Sequence, residues 1–255
     1  MRHLKTAAIL AGAIGGALLM SSQAMANPVT VDGVTFSTGA YFQSNQLFEN
    51  VVHNVGDELH GYGQVTAING GVDFCSNCDL TFTFSGYTAT TINDQNADFS
   101  GGTVKFWVVP DGSFDSSDPA SAMGSTLFLE TTGHTFAGQN SYNGRSGTLL
   151  STGSALNTPA AAGTGIGQLD ATGGDAMTYF DTNTIPDFNG GFADFVFTTD
   201  FGTAGCAGAN SPLPICGSAS LQGNAAAVPE PGALGMMGLG LLGIGLGFAV
   251  RRRRS

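Results

Sequence analysis

Basic residues are nearly absent from the main body of this 255-residue chain. Between Asn27 and Pro229 only Lys105 and Arg145 are basic, against 18 Asp and Glu, a net charge of −16 for that stretch. A body so acidic cannot neutralise phosphates, which excludes nucleic acid as a partner. It also cannot dock electrostatically on an anionic lipid surface. Catalytic signatures are missing too: there is no G-x-S-x-G nucleophile elbow and no H-E-x-x-H zinc motif. No long amphipathic helical period occurs, which excludes a helical bundle. The reading is therefore of a non-enzymatic protein. Carboxylate pairs for glycoside hydrolysis meet in space rather than in sequence, so a secreted hydrolase stays open as an alternative.

The other basic residues sit at the two ends. Arg2 and Lys5 precede an apolar run from Ala7 to Met20, and the polar stretch after it ends Ala24-Met25-Ala26. That is the three-part pattern of a secretory signal peptide spanning 1–26, removed by signal peptidase to leave Asn27 as the new N-terminus. Export places the mature chain in an oxidising compartment.

At the other end, residues 233–250 form an apolar stretch without a charge, followed at once by Arg251, Arg252, Arg253 and Arg254. As a helix at about 1.5 Å per residue it spans roughly 27 Å, enough for a bilayer core. The arginines hold that end in the cytoplasm and leave the body on the far side. Gly243 and Gly247 have the spacing that lets helices approach closely. Before the span comes Val228-Pro229-Glu230-Pro231-Gly232, where two prolines keep the backbone extended and exposed around a carboxylate.

In these three parts, in this order, residues 229–255 resemble the PEP-CTERM sorting signal of Gram-negative bacteria. The resemblance covers the tail alone. It implies recognition of Pro229, Glu230 and Pro231 by an exosortase-type membrane peptidase and removal of the anchor. The protein would be anchored transiently in the inner membrane with its body periplasmic, then placed at the cell surface or outside the cell. It further implies a role in the extracellular matrix, in biofilm formation beside secreted exopolysaccharide.

The body reads as mainly β. Leu80, Phe82 and Phe84 alternate with Asp79, Thr81, Thr83 and Ser85; Val104, Phe106 and Val108 with Lys105, Trp107 and Val109; Phe195, Phe197 and Phe201 with Asp194, Val196, Thr198 and Asp200. Each pattern predicts a strand with one buried and one wet face. Asp32-Gly33 between Val29–Val31 and Val34–Phe36 predicts a tight hairpin. Turns are expected at 68–71 and 109–112, and further strands at 64–68, 126–130 and 177–181. The expected architecture is a single β-sandwich or jelly-roll-like domain over 27–205. Residues 152–167 are expected to form a long loop, and 206–228 a linker to one C-terminal transmembrane helix.

Four cysteines lie in the exported body: Cys75, Cys78, Cys206 and Cys216. Three pairings are possible, and the spacing favours two local disulfides, Cys75–Cys78 and Cys206–Cys216. The CxxC of the first pair lacks the strand–helix context of a redox motif, and Asp79 stands where haem attachment needs His. Asp94, Asn96 and Asp98 alternate oxygen donors as a Ca²⁺ loop does and are the candidate ligands for a structural calcium ion. His53, Asp57 and His60 would share a face only on a helix, which Gly56, Gly61 and Gly63 oppose. Trp107, alone of its kind, is the candidate stacking platform if the body is a carbohydrate-binding module.

Overall fold

The hairpin predicted at Asp32-Gly33 is formed. β1 (Val29–Val31) pairs with β2 (Val34–Phe36), and both turn residues take positive φ, 50° and 86°, as a type I′ turn requires. The computed structural model describes residues 28–203 and 211–226, all within one compact unit, Pro28–Val228. The predicted signal peptide, Cys206 and the predicted sorting signal lie outside the described residues.

After β2 the chain builds its main sheet from β3 (Gly39–Glu49), β4 (Glu58–Gln64) with a short spur β5 (Ala67–Ile68), β6 (Cys78–Ile92), β7 (Asn96–Pro110) and β8 (Thr126–His134). A detour over residues 135–148 carries the small ribbon of β9 (Phe136–Ala137) and β10 (Ser146–Gly147). The wall resumes with β11 (Leu149–Ser154) and β12 (Ala162–Gly173). Helix α1 (Met177–Phe180) and the hairpin of β13 (Ile185–Pro186) and β14 (Phe192–Ala193) follow, and β15 (Phe195–Gly202) and β16 (Ile215–Asn224) complete the wall.

The strands run β3-β4-β6-β7-β8-β12-β15-β16, every neighbour antiparallel, and β16 pairs back onto β3. The sheet is closed, with an up-and-down order that follows the chain. The expectation of a β-rich domain holds, but the strands form one closed sheet where the sequence suggested two packed ones. Closure leaves no edge strand in the ring exposed to another chain. One position in the ring is filled by two strands in tandem. β8 ends with His134 opposite Gln168, and β11 begins with Leu149 opposite Gly167, both lying between β7 and β12. The 135–148 detour is an insertion into what is otherwise a single wall strand.

Three further expectations change. The 152–167 loop is mostly strand: Gly153, Gly163, Gly165 and Gly167 are wall positions pressed against neighbouring backbone and side chains. The 177–181 strand is the short helix α1, whose Phe180 is fully buried. Part of the 206–228 linker is β16, whose ten residues supply the closing seam between β15 and β3. Its small side chains hid it, since Gly217, Ala219 and Gly223 break the apolar alternation.

The predicted inward faces of Leu80, Phe82, Phe84, Val104 and Phe106 are observed. At Gly86, Gly101 and Gly102, all with positive φ, the inward face changes, and Tyr87 and Phe99 take over as inward residues; the β6–β7 register itself shifts further along, between Ala89 and Thr91. Several wall glycines are seats for aromatic rings of the next strand. Gly61 lies opposite Phe84 and Gly63 opposite Phe82, and a Cβ on either glycine would collide with the facing ring. Phe197 covers Gly167 and Phe195 covers Gly223 in the same way. Glycine lets the ring lie flat on the wall, so large side chains fit inside a narrow barrel.

Candidate functional site

The two ends of the barrel are filled differently. At the end holding the start of β3 and the end of β16, the hairpin β1–β2 and helix α1 form an aromatic plug. Phe36 meets Phe180 and Phe128 at 4.8 and 6.0 Å between ring centroids, and Phe180 meets Phe195 and Phe42 at 5.2 and 5.8 Å, all within the range of favourable ring pairs.

Toward the opposite end the packing opens into a cavity of about 120 Å³. Its lining is overwhelmingly apolar, with Leu47, Phe84, Phe99, Leu149, Phe201 and Ile215 among the contributors. The loops after β3 and β11 bring Val52 and Leu156 over it. These two loops are tied together by His53 Nδ1 and the Asn157 carbonyl oxygen, 2.9 Å apart. The 50–57 loop is itself held by Asp57 Oδ2, which accepts from the His53 and Asn54 amides at 3.1 and 2.9 Å.

Among the described residues, two polar side chains in this lining have no hydrogen-bond partner. Glu49, the last residue of β3, is 9% exposed, and neither a hydrogen bond nor a cation meets its carboxyl among the described residues. Burial alone pushes its pKa up to about 8, so the group is largely neutral at pH 7. Tyr87, 1% exposed, has an unpartnered hydroxyl, and burial pushes its pKa up as well. Buried polar atoms are nearly always paired, so two orphans in one cavity are unusual for a purely structural core. Sequence reading missed both. The only sign of Glu49 is a charge among the apolar residues Leu47, Phe48, Val51 and Val52.

The calcium candidates do not converge. Asp94 Oδ1 accepts from the Ala155 amide at 3.1 Å, Asn96 Oδ1 lies 3.3 Å from Thr152 Oγ1, and Asp98 is held by Arg145. Their alternation follows the strand start of β7, and each oxygen serves a different neighbour. Among the described residues no group of three or more His, Cys, Asp or Glu could hold a metal. Asp115 and Asp118 are turn and cap residues, accepting from the Ser117 and Ala120 amides.

Cys75 and Cys78 are disulfide-bonded, their Cα atoms 5.3 Å apart, and the bridge braces the turn leading into β6 beside the β1–β2 hairpin. Cys216 is also disulfide-bonded. Trp107 faces outward from β7, its indole N–H donated to Thr83 Oγ1 at 3.2 Å. Asp194, expected on a wet face, is 1% exposed, its carboxylate accepting from the Ala171, Thr182 and Asn183 amides at 2.8, 2.7 and 2.6 Å. Among the described residues no helix is long and apolar enough to cross a membrane; the predicted span 233–250 lies outside them.

A second polar cluster lies on the outer wall where β8 gives way to the detour. His134 Nδ1 is 2.8 Å from Asp170 Oδ2, and Nε2 is 3.3 Å from Asp187 Oδ2. Desolvation lowers the His134 pKa, but the bonds to Asp170 and then Asp187 outweigh it, and the net shift is upward. Desolvation likewise raises Asp187, while amide bonds from Gly191 and Asn189 and the His134 contact bring its net shift below the usual carboxylate value. The cluster fastens the β13–β14 hairpin to the wall, together with the Ala137 amide bonding the Asp187 carbonyl at 3.0 Å. No protein-family model matches the chain, and neither a curated protein nor a solved structure does.

Proposed function

We propose that the protein is an exported, non-enzymatic component of the cell surface or extracellular matrix, sorted by an exosortase-type peptidase and retained beside exopolysaccharide. What carries this reading is the tail: Pro229-Glu230-Pro231, the apolar stretch 233–250 and Arg251–Arg254, in order, behind an N-terminal export signal. The strand β16 ends at Asn224, so residues 225–228 alone separate the last barrel strand from the motif. The cargo delivered is thus a closed β-barrel carrying nearly all of the acidic charge. A ring without free edges and with bridged cysteines suits an oxidising exterior without chaperones.

The test is fractionation of the sorting-competent host expressing the wild type or the Pro229→Ala/Glu230→Ala variant, with the mass of the mature chain measured. The wild type is expected outside the inner membrane without residues 233–255, and the variant in the membrane at full C-terminal length. A wild type that keeps residues 233–255 overturns the sorting reading.

A further inference from the structure

We propose that the barrel cavity binds a small apolar amine, a molecule with a hydrocarbon body of about one benzene ring and a single protonated nitrogen, through the Glu49 carboxylate. The inference is independent of how the protein is sorted. It rests on the size of the cavity, the chemistry of its lining and the charge of the molecule around it.

Size comes first. Apolar cavities of about 150 Å³ in protein cores stay dry and take up benzene. A cavity of about 120 Å³ whose lining is mostly Leu, Val, Ile and Phe offers room of the same order. A long acyl chain or a polycyclic ring would not fit without movement of the wall.

Chemistry selects the polar group. A carboxyl inside an apolar cavity is costly to ionise unless a cation and hydrogen-bond donors reach it. Among the described residues the barrel supplies neither to Glu49: Lys105 is paired with Glu130 at 3.3 Å, and Arg145 is engaged by Asp98. An ammonium group provides both missing elements at once, three donors and a positive charge, in the strongest class of hydrogen bond. The Tyr87 hydroxyl oxygen, unpartnered in the same lining, is an acceptor for a further N–H. A carboxylate ligand would instead meet a second acid in an apolar site, and a neutral alcohol would leave the charge capacity of Glu49 unused.

The surroundings favour the same sign. A body of net charge −16 raises the local concentration of cations and repels anions. Because burial keeps the Glu49 carboxyl largely neutral at pH 7, binding of an ammonium ion releases that proton to solvent.

Isothermal titration calorimetry on the full chain in a non-ionic detergent tests the proposal, with benzylamine, benzyl alcohol and benzoate as probes. The Glu49→Gln variant corrects for partition into micelles. It keeps the side-chain volume and removes only the ionisable group, and its folding is checked by circular dichroism. Benzylamine is expected to bind at least about tenfold more tightly than benzyl alcohol at pH 7. Its apparent enthalpy should vary with the ionisation enthalpy of the buffer, as release of a proton requires, and benzoate should not bind. In Glu49→Gln the benzylamine affinity falls by about tenfold or more while that for benzyl alcohol stays within about threefold. The proposal is overturned by absence of benzylamine binding, by equal affinity for amine and alcohol, or by amine binding that survives Glu49→Gln.

Discussion

Arg145 reaches across 47 residues of sequence to Asp98, its Nε donating to Asp98 Oδ1 at 2.7 Å, and so pins the 135–148 detour to the wall strand β7. The same guanidinium donates through Nη2 to the carbonyls of Ala97 and Ser151 at 3.1 and 2.7 Å, and its Cζ lies 5.5 Å from the Tyr142 ring centroid. One of the two basic side chains between Asn27 and Pro229 thus closes the seam at which β11 joins the wall.

Truncating one partner of this pair strands a charge that is 7% exposed in Asp98. Arg145→Ala is expected to destabilise the barrel by about 3 kcal/mol, as breaking a buried pair does. Removing both charges in Asp98→Asn/Arg145→Met should recover most of the loss, since the stranded carboxylate is then gone. Denaturant unfolding of the three proteins measures this. A single mutant as stable as the wild type would show that the pair contributes only at the surface level.

The His134 clasp sets a pH window for the outer hairpin. His134 titrates above its unfolded value, so its contribution is fully present below about pH 6.5 and is lost as pH rises through the raised folded value. Asp187 is shifted the other way, so its contribution holds above its ordinary carboxylate range and is lost only as pH falls through the depressed value. Amide exchange should follow this sign. Protection of the Ala137 amide, corrected for the base-catalysed intrinsic rate, is expected to fall between about pH 6 and 9. In His134→Gln the same amide should show lower protection at pH 6 and a flat profile. A wild-type profile as flat as the variant's would mean that the clasp carries no net charge coupling.

How much of this was legible in the sequence depended on whether a residue's role is local. The Asp32-Gly33 hairpin, the turn at 68–71 and the inward faces of β6 and β7 follow from backbone geometry and side-chain alternation over a few residues, and they are found as expected. Ring closure is not local. It depends on β16 pairing with both β15 and β3, and β16 carries small residues because Phe195 lies over Gly223 on the neighbouring strand. A strand that supplies space instead of bulk has no apolar alternation to read, which is why this segment resembles a linker. Glu49 escaped for a related reason. One acid at a strand end is ordinarily a solvent-facing residue, and only the closed ring turns that position inward.

The buried acid also predicts how stability varies with pH. In the unfolded chain Glu49 titrates near pH 4.3, whereas in the barrel burial holds its pKa up to about 8. Between these values the folded state binds the proton more tightly, so stability falls as pH rises across that window. Carboxylates such as Asp187, shifted downward, contribute slopes of the opposite sign at lower pH and do not mask it. Glu49→Gln removes the ionisable group and keeps its volume, so the variant should match or slightly exceed the wild type near pH 5 and exceed it clearly by pH 8. Thermal unfolding from pH 5 to 9, with and without benzylamine, separates the two roles of the residue. An amine that supplies the missing cation should flatten the wild-type slope and leave the variant unchanged. A wild type whose Tm is level from pH 5 to 8 in the absence of amine would mean that water or an internal partner already reaches the Glu49 carboxyl, and the cavity would then be wet.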